Sequence, residues 1–595
     1  MCGIGGILYS KDSGTALHDR IRQMEHAQIH RGPDDRQTVL HQNHAFCHQR
    51  LALLDEKGGK QPFYDPSGRY LIVYNGEIYN YEALRAELSN SYQFVSRSDT
   101  EVVLAAYLFW GEDCLNRFIG MFSFLIWDIH SQTAFAAVDP LSVKPFVYYQ
   151  SGAEFIFASE VKGILACLNE KPKINIEALT EYVVAPMLSG VESTIYEGVF
   201  ILRGGEKLNI SKEKTVKCSY YNFTQRPGIS TSEQLIRYLM ENLEESTKMS
   251  LKADFPVGSF FSGGLDSSLL SSLAVKLRVP GHQAFTVRFQ NHEQINFNEN
   301  SIVNSDDFPY AQRLAGDLNL PMEAVTISKE NILNGLSELP IINDRIPAWE
   351  QEFSQHFLSK AASKNFKAVL VGDAADETHY GYFFLLNPQV NHSPLGLLQK
   401  FGAEKRCRFL SEKIQKDIKP LDFLNQKYTQ IVESNGFSFN GSEQDKILAM
   451  SCLIYKRWLG RLLHNGDIHS MNFGLEARVP FANLNVLEVE GYIGPAMGFK
   501  NGEEKHLLKM AAKNWLPDYI INRKKSALPR DPRLGTQYQV ILKNLLQESG
   551  DFIEDYLNLK ALTALCEQKT VEENDRMMLF NMICLLKRVQ YDAKQ

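Results

Sequence analysis

No uninterrupted apolar run in the 595 residues is long enough to cross a bilayer, which excludes a membrane-spanning helix. The N-terminus lacks a basic n-region and an apolar h-region, so no secretory signal is expected, and Cys2 in place of glycine excludes myristoylation. Cysteine is sparse: nine residues, odd in number and scattered, with no C-x-x-C pair. That argues against a zinc site or a disulfide framework and fits a reducing compartment. No basic stripe with interleaved aromatics is present, and the net charge is −7, so no nucleic-acid partner is expected. What remains is the composition of a soluble globular protein, 44% hydrophobic and 22% charged, on a chain too long for one core. Length alone allows up to about four units. The default expectation is a cytoplasmic enzyme.

The stretch with the most chemistry is Phe260-Phe261-Ser262-Gly263-Gly264-Leu265-Asp266-Ser267-Ser268. A strand-like run precedes it and a helix-like run follows. A strand, a Gly-rich turn and a helix N-terminus form a phosphate cradle, because free backbone N–H groups and the positive helix end face the anion. Gly263 and Gly264 permit close approach and positive φ. Asp266 repels phosphate on its own and implies Mg²⁺ carried in with a nucleotide. The string is not a Walker loop. Its plainer reading is a serine-rich cap on a helix. It resembles the pyrophosphate loop of ATP pyrophosphatases, which adenylate a substrate and release pyrophosphate.

The chain opens Met1-Cys2-Gly3-Ile4-Gly5-Gly6 with strand-like alternation. Removal of Met1 would make Cys2 the N-terminal residue, and its α-amino group, titrating near ~8, would serve as base for its own thiol. Alone, Cys2 reads as a small apolar strand residue. Downstream stand His30-Arg31-Gly32-Pro33-Asp34, His48-Gln49-Arg50-Leu51, Asn75-Gly76-Glu77-Ile78-Tyr79-Asn80 and Ser98-Asp99-Thr100-Glu101. With Cys2-Gly3-Ile4 these five separated motifs resemble the glutaminase domain of class II, N-terminal-nucleophile amidotransferases. The resemblance implies that Cys2 forms a γ-glutamyl thioester and that Asn75 and the Gly76 N–H make the oxyanion hole, where donors must face developing negative charge. It also implies that Arg50 holds the glutamine α-carboxylate and that Glu77 and Asp99 take its α-ammonium. Taken singly, Asn75-Gly76 is a common hairpin turn and Arg50 or Asp99 a surface charge. Strands are expected at 70–74, 122–127, 134–138 and 155–158 and helices at 81–88 and 100–110, a sheet-rich α+β layering. The segment Ala137-Val138-Asp139-Pro140-Leu141-Ser142-Val143-Lys144-Pro145 has Val138 and Ser142 where the family has Arg and Gly.

Turn-forming and charged residues accumulate over 212–230, and the boundary is placed near Gln225, giving a glutaminase domain over 1–225 and a synthetase domain over 226–595. Thr231-Ser232-Glu233-Gln234 reads as a helix start, with Leu235, Leu239 and Leu243 on one face. Strands at 284–289, 322–327 and 368–371 then alternate with helices at 308–318 and 353–363, and the tail from Gln537 is helical and Leu-rich. Alternation implies a parallel, doubly wound sheet with ligands at the carboxyl ends of its strands.

At one such end stands Val371-Gly372-Asp373-Ala374-Ala375-Asp376-Glu377, then Gly381-Tyr382, followed later by Gly474-Leu475-Glu476-Ala477-Arg478-Val479-Pro480-Phe481 and Gly502-Glu503-Glu504-Lys505-His506. These resemble the signatures of glutamine-hydrolysing asparagine synthetases, and together with the N-terminal motifs the resemblance covers nearly the whole chain. It implies a four-layer αββα N-terminal-nucleophile hydrolase fold ahead of an ATP pyrophosphatase fold with helical additions. ATP would lie on Phe261, Ser262, Gly263, Gly264, Leu265, Asp266, Ser267, Ser268, Val287, Val371 and Gly372. Mg²⁺ would be held by Asp266 and Asp376. Lys505 would stabilise charge as pyrophosphate leaves, and Asp373 and Glu476 would serve catalysis. Without the family, Lys505 reads as a solvated helix charge and the acidic string as an N-cap cluster.

The resemblance puts the departures at Val371, Arg288 and Thr378-His379-Tyr380 near the acceptor pocket, while Ile468 and Ala482-Asn483 flank the Glu476 motif. Val371 replaces Ser, Ala374 replaces Gly, Thr378-His379-Tyr380 replace Leu/Val-Phe-Gly, Arg288 replaces Gly, Ile468 replaces a basic residue, and Ala482-Asn483 replace Leu-Asp. Arg288 reads either as a ligand contact or as a surface residue. The expected function is hydrolysis of glutamine to ammonia, coupled to ATP-driven amidation of a carboxylate, with aspartate to asparagine foremost. A relative that amidates another acid, a lactam-forming relative and a non-catalytic regulator are the alternatives. The partners expected are the small molecules glutamine, ATP and a carboxylate, and a homodimer is left open.

Overall fold

The computed structural model describes residues 2–222, 231–291, 306–526, 531–548 and 550–594. The first half carries, in chain order, β1 (Cys2–Leu8), α1 (Gly14–Ala27), β2 (Asp35–His41), β3 (His44–Arg50), β4 (Phe63–Tyr64), β5 (Tyr70–Ile78), α2 (Tyr81–Leu88), α3 (Asp99–Trp110), β6 (Gly120–Asp128) and β7 (Thr133–Val138). It continues with β8 (Val147–Ser151), β9 (Glu154–Ala158), α4 (Val161–Cys167), α5 (Ile176–Val184), β10 (Val199–Ile201), β11 (Glu206–Ile210) and β12 (Thr215–Ser219). These strands form two six-stranded sheets, ordered β10-β8-β9-β1-β3-β2 and β12-β11-β7-β6-β5-β4.

Strand periodicity dictates the layering. Ile4 and Leu8 of β1 meet Leu71 and Val73 of β5, Leu125 and Trp127 in the core between the sheets. The opposite face of β1, through Ile7, packs on Leu17, Ile21 and Met24 of α1. The outer face of the second sheet, through Ile72 and Tyr74, packs on Leu84 and Leu88 of α2 and Val102 to Ala106 of α3. The result is helix, sheet, sheet, helix, as the family resemblance implies. Because side chains alternate with period two, Cys2 shares the inner face with Ile4, and Asn75 shares the inner face with Val73. Asn75-Gly76 is no hairpin: β5 runs straight through it, with Asn75 opposite Ser123 and Gly76 opposite Phe122.

The boundary expected near Gln225 lies outside the described residues. Thr231 caps α6 (Ser232–Ser250) by accepting from the Gln234 N–H, and Leu235, Leu239 and Leu243 are fully buried. Next come β13 (Val257–Phe260), α7 (Leu265–Lys276), β14 (Ala284–Phe289), α8 (Phe308–Asp317), β15 (Met322–Ile327), α9 (Lys329–Ile342), α10 (Glu352–Ala362), β16 (Ala368–Leu370), α11 (Ala375–Thr378) and β17 (Glu476–Arg478). The sheet order is β15-β14-β13-β16-β17 and every pairing is parallel. Strand β17 and helix α9 were not expected from the sequence. Three residues of β17 are too short to show a period, and α9 is broken in pattern by Pro340.

Candidate functional site

Two sites lie in the two halves, and a buried seam joins them. In the first, the Cys2 backbone N–H donates to Asn75 Oδ1 at 3.0 Å. That bond turns the Asn75 carbonyl toward Cys2. The Asn75 Nδ2 amide of this fully buried side chain is left without a partner. A buried donor with nothing to donate to costs about 1–3 kcal/mol, and a developing oxyanion removes that cost. Gly76 is required beside it, since a Cβ there would lie 2.4 Å from the Met121 carbonyl oxygen. Cys2, Arg50, Gly76, Glu77, Ser98, Asp99 and Thr100 line one pocket.

Asp99 accepts from the Tyr74 hydroxyl (2.8 Å) and the Ile78 N–H (3.0 Å). Burial raises its carboxyl despite these bonds. Burial, with Glu476 and Asp99 nearby, pushes Glu77 well above the carboxylate range. Its nearest cation is Arg478 Nη2, at 3.7 Å. Two buried carboxyls short of positive charge make this end of the pocket favourable to a cation. Arg50 is already engaged: Nη1 donates to the Glu56 carbonyl (2.6 Å) and Nη2 to those of Leu54 (3.1 Å) and Asp55 (2.7 Å). It therefore shapes the 54–56 loop as well as lining the pocket.

Motif membership alone did not reveal the seam. Arg31, fully buried, donates from Nε to the Cys2 carbonyl (3.1 Å), from Nη1 to Glu160 (2.8 Å) and from Nη2 to Asp467 (2.8 Å). Lys144, also fully buried, reaches Asp467 at 3.2 Å. Asp467 belongs to the helix Gly460–Met471 of the second half. The next residue toward its N-terminus, Gly466, would place a Cβ 3.3 Å from Asp373 Oδ2. One helix thus touches the support of Cys2 with one residue and Asp373 with its neighbour. Glu476 lies in this seam too, bonded to Arg478.

In the second site, Gly263 takes φ +70° and a Cβ there would lie 2.5 Å from the Ala311 amide nitrogen. Ser262 and Ser267 bond to each other (3.0 Å), and the Gly264 N–H donates to Ser262 Oγ (3.3 Å), which folds the loop around its own hydroxyls. Phe261 is buried beneath the loop, and the Ser268 hydroxyl, at the start of α7, is buried without a partner. Leu265 and Asp266 form the first turn of α7. Gly372 packs on this turn, its absent Cβ 3.1 Å from the Ser267 N–H. Val371 follows β16 and Val287 lies in the second half of β14, both buried, so these residues gather toward the carboxyl ends of adjacent parallel strands. Arg288 is exposed and stacks on Phe308, 5.0 Å from the ring centre, the surface reading of the two.

Lys505 Nζ sits between Asp266 (2.6 Å) and Asp376 (2.5 Å), and Lys525 Nζ also reaches Asp376 (2.6 Å). Burial opposes ionisation of Asp376, but Lys505 and Lys525 outweigh it and hold the carboxyl at about 2. Among the described residues no cation pairs with Asp373: burial, with Asp376 and Asp266 nearby, raises it to about 7. Asp266 and Asp376 converge on one ammonium, so they are close enough to share a divalent ion, and oxygen donors suit Mg²⁺.

Three of the departures share a backbone feature. Ser142 (φ +54°), Ala374 (φ +77°) and Tyr380 (φ +58°) all keep the left-handed conformation where the family has glycine. Each non-glycine residue there costs of order 1 kcal/mol. Tyr380 offsets this with a hydrogen bond to the Ile493 carbonyl (3.1 Å) and ring contact with Phe499.

Residues 1–221 match the glutamine amidotransferase domain and residues 239–589 match asparagine synthase. Asparagine synthetase (glutamine-hydrolyzing) 3 of Bacillus subtilis (strain 168) is 29% identical to the chain, over 95% of this chain and 93% of that protein. Asparagine synthetase (glutamine-hydrolyzing) 1 of the same organism is 28% identical, over 97% and 94%. Amidase chry2 of Gibberella zeae is 25% identical, over 84% and 83%. The synthase match spans more than half of the chain and contains the 262–268 loop, Asp376 and Lys505: this chain belongs to the asparagine synthase family.

Proposed function

We propose that the chain hydrolyses glutamine at Cys2 and uses the ammonia to amidate aspartate at an ATP-consuming site built around Lys505. The Cys2 thiolate attacks the glutamine carboxamide carbon, and the oxyanion takes the Asn75 Nδ2–H and Gly76 N–H. Ammonia leaves, and water cleaves the thioester to glutamate. At the second site a carboxylate oxygen of the acceptor attacks the α-phosphorus of ATP, and pyrophosphate departs. Lys505 stabilises the charge that develops there. Mg²⁺ bound by Asp266 and Asp376 would neutralise the phosphate oxygens. Ammonia then attacks the acyl carbon and AMP leaves with the bonding pair. Ammonia needs a dry route, because in bulk water it is largely protonated and no longer nucleophilic.

The observation that carries this reading is the one helix whose Asp467 holds Arg31 and Lys144 and whose Gly466 lies against Asp373. It gives the two proposed sites one shared support. A second reading keeps the reaction and changes the acid. Thr378 and His379, where the family has apolar residues, form a buried polar wall with Glu490, Thr378 Oγ1 lying 2.9 Å from His379 Nδ1 and His379 4.0 Å from Glu490. Glutamine-dependent pyrophosphate release across a panel of carboxylic acids separates the two. Stimulation by aspartate alone supports the first reading. Silence with aspartate and a response to another acid establishes the second.

A further inference from the structure

Strand β17 belongs to the second half, yet its last residue, Arg478, faces the first. The side chain is fully buried. A guanidinium is a rigid planar fork of donors, so fixing two of its edges aims the third. Nε bonds to Glu476. Nη1 donates to the carbonyls of Ser250 (2.9 Å) and Lys252 (2.7 Å), where α6 ends. Those bonds set the plane of the fork. Nη2 has no hydrogen-bond partner among the described residues and lies 3.7 Å from the Glu77 carboxyl.

Glu77 stands two positions after Asn75 on β5 and therefore shares its inner face. It lines the pocket that holds Cys2, which Arg478 itself does not line. Burial and the carboxyls of Glu476 and Asp99 drive Glu77 toward its protonated form, and Arg478 opposes them. A protonated carboxyl has no charge to offer a cationic substrate group. The halves are packed tightly at this point: a Cβ on Gly474 would lie 3.2 Å from Pro33 Cγ, and Leu51 and Leu53 meet Met471 in one buried cluster. The fork of Arg478 is therefore held at a fixed place behind the pocket.

We propose that Arg478, a residue of the second half, is a positioning residue for glutamine in the first: its Nη2 keeps the Glu77 carboxylate ionised and oriented to take the substrate α-ammonium. The proposal rests on the glutaminase reading of the Cys2 pocket. It makes the glutamine site incomplete without β17. The plainer role for Arg478 is an anchor between β17 and the end of α6, and the two roles differ in what they do to substrate selection.

The test compares glutamine with 4-carbamoylbutanoate, the same amide without the α-amino group, as substrates for hydrolysis by the full chain. The ratio of their kcat/KM values reports the grip on the ammonium and cancels a general loss of active protein. Arg478→Lys keeps a cation for Glu476 but lacks the fork. It is expected to lower the ratio about tenfold or more, mainly through a raised KM for glutamine. In a Glu77→Gln background, where no carboxylate is left to hold, Arg478→Lys is expected to leave the ratio unchanged. An unchanged ratio in Arg478→Lys alone, or an equal drop in both backgrounds, overturns the proposal and leaves Arg478 as an anchor. Should Arg478→Lys fail to fold, Arg478→Gln, an uncharged donor for the same carbonyls, enters the same cycle with the same expected outcomes. A wild-type chain that hydrolyses neither amide overturns the glutaminase reading itself, and this inference falls with it.

Discussion

At Asn75 one side chain does two jobs, because its oxygen is spent on the Cys2 N–H and its nitrogen is not spent at all. Asn75→Ala is expected to lower glutamine hydrolysis about 10²–10³-fold while sparing ammonia-dependent amidation. Cys2→Ala is expected to abolish glutamine use and again spare ammonia use, and loss of both activities would contradict two separable sites. Asp373 makes a pH prediction. Its carboxyl is raised to about 7, so between the ordinary carboxylate range and about pH 7 the folded chain holds a proton that the unfolded chain has released. Stability therefore falls as pH rises through that window and levels off above it. Asp373→Asn removes the proton. The melting temperature of the variant relative to wild type is expected to climb from about pH 5 to about pH 7.5; a constant offset would refute the raised carboxyl.

At the scale of the element, the turn into α11 is strained. Ala374 sits at φ +77° as the residue before the helix that carries Asp376 and Glu377. Ala374→Gly is expected to stabilise the chain by about 0.5–1 kcal/mol, read as a shifted denaturant midpoint at unchanged slope. The motif spacing had already marked Ala374 as unusual. What the spacing did not give is that the backbone holds its glycine conformation regardless, because the surrounding turn and the α7 loop fix it. Elements with a clear period were legible. Helix α6 is capped by Thr231 with three leucines inward, and β14 and β15 run over 284–289 and 322–327 as their β-rich composition requires. Strand β17 was not legible, since three residues carry no periodicity and only pairing to β16 makes them a strand.

For the whole molecule, the Arg31–Asp467–Lys144 cluster carries the two halves as one body. All three side chains are buried, so removing the shared carboxylate leaves Lys144 without an ion-pair partner among the described residues and Arg31 with Glu160 alone. Asp467→Ala is expected to destabilise the chain by about 3–5 kcal/mol. It is also expected to raise the glutamate formed per amide, because ammonia escapes when the seam loosens; an unchanged ratio would show that the seam is structural only. The C-terminal helix Glu573–Lys594 adds a strap. Its Asn581 carbonyl accepts from the Tyr182 hydroxyl (3.0 Å), and the Asp592 carbonyl accepts from Lys171 Nζ (2.7 Å).

The sequence by itself determined the local chemistry. Glycines where a loop must approach a phosphate, a cysteine at position two, and alternation that demands a parallel sheet are all properties of neighbouring residues, and neighbours are what a sequence displays. The tertiary structure decided what depends on distance through space. Glu160 and Asp344 stand in no motif, yet they tie Cys2's support to the second half, across 183 residues in the case of Asp344 and Val161. Lys144 and Asp467, 323 residues apart, become a pair only once both sheets are closed and water is gone from between them.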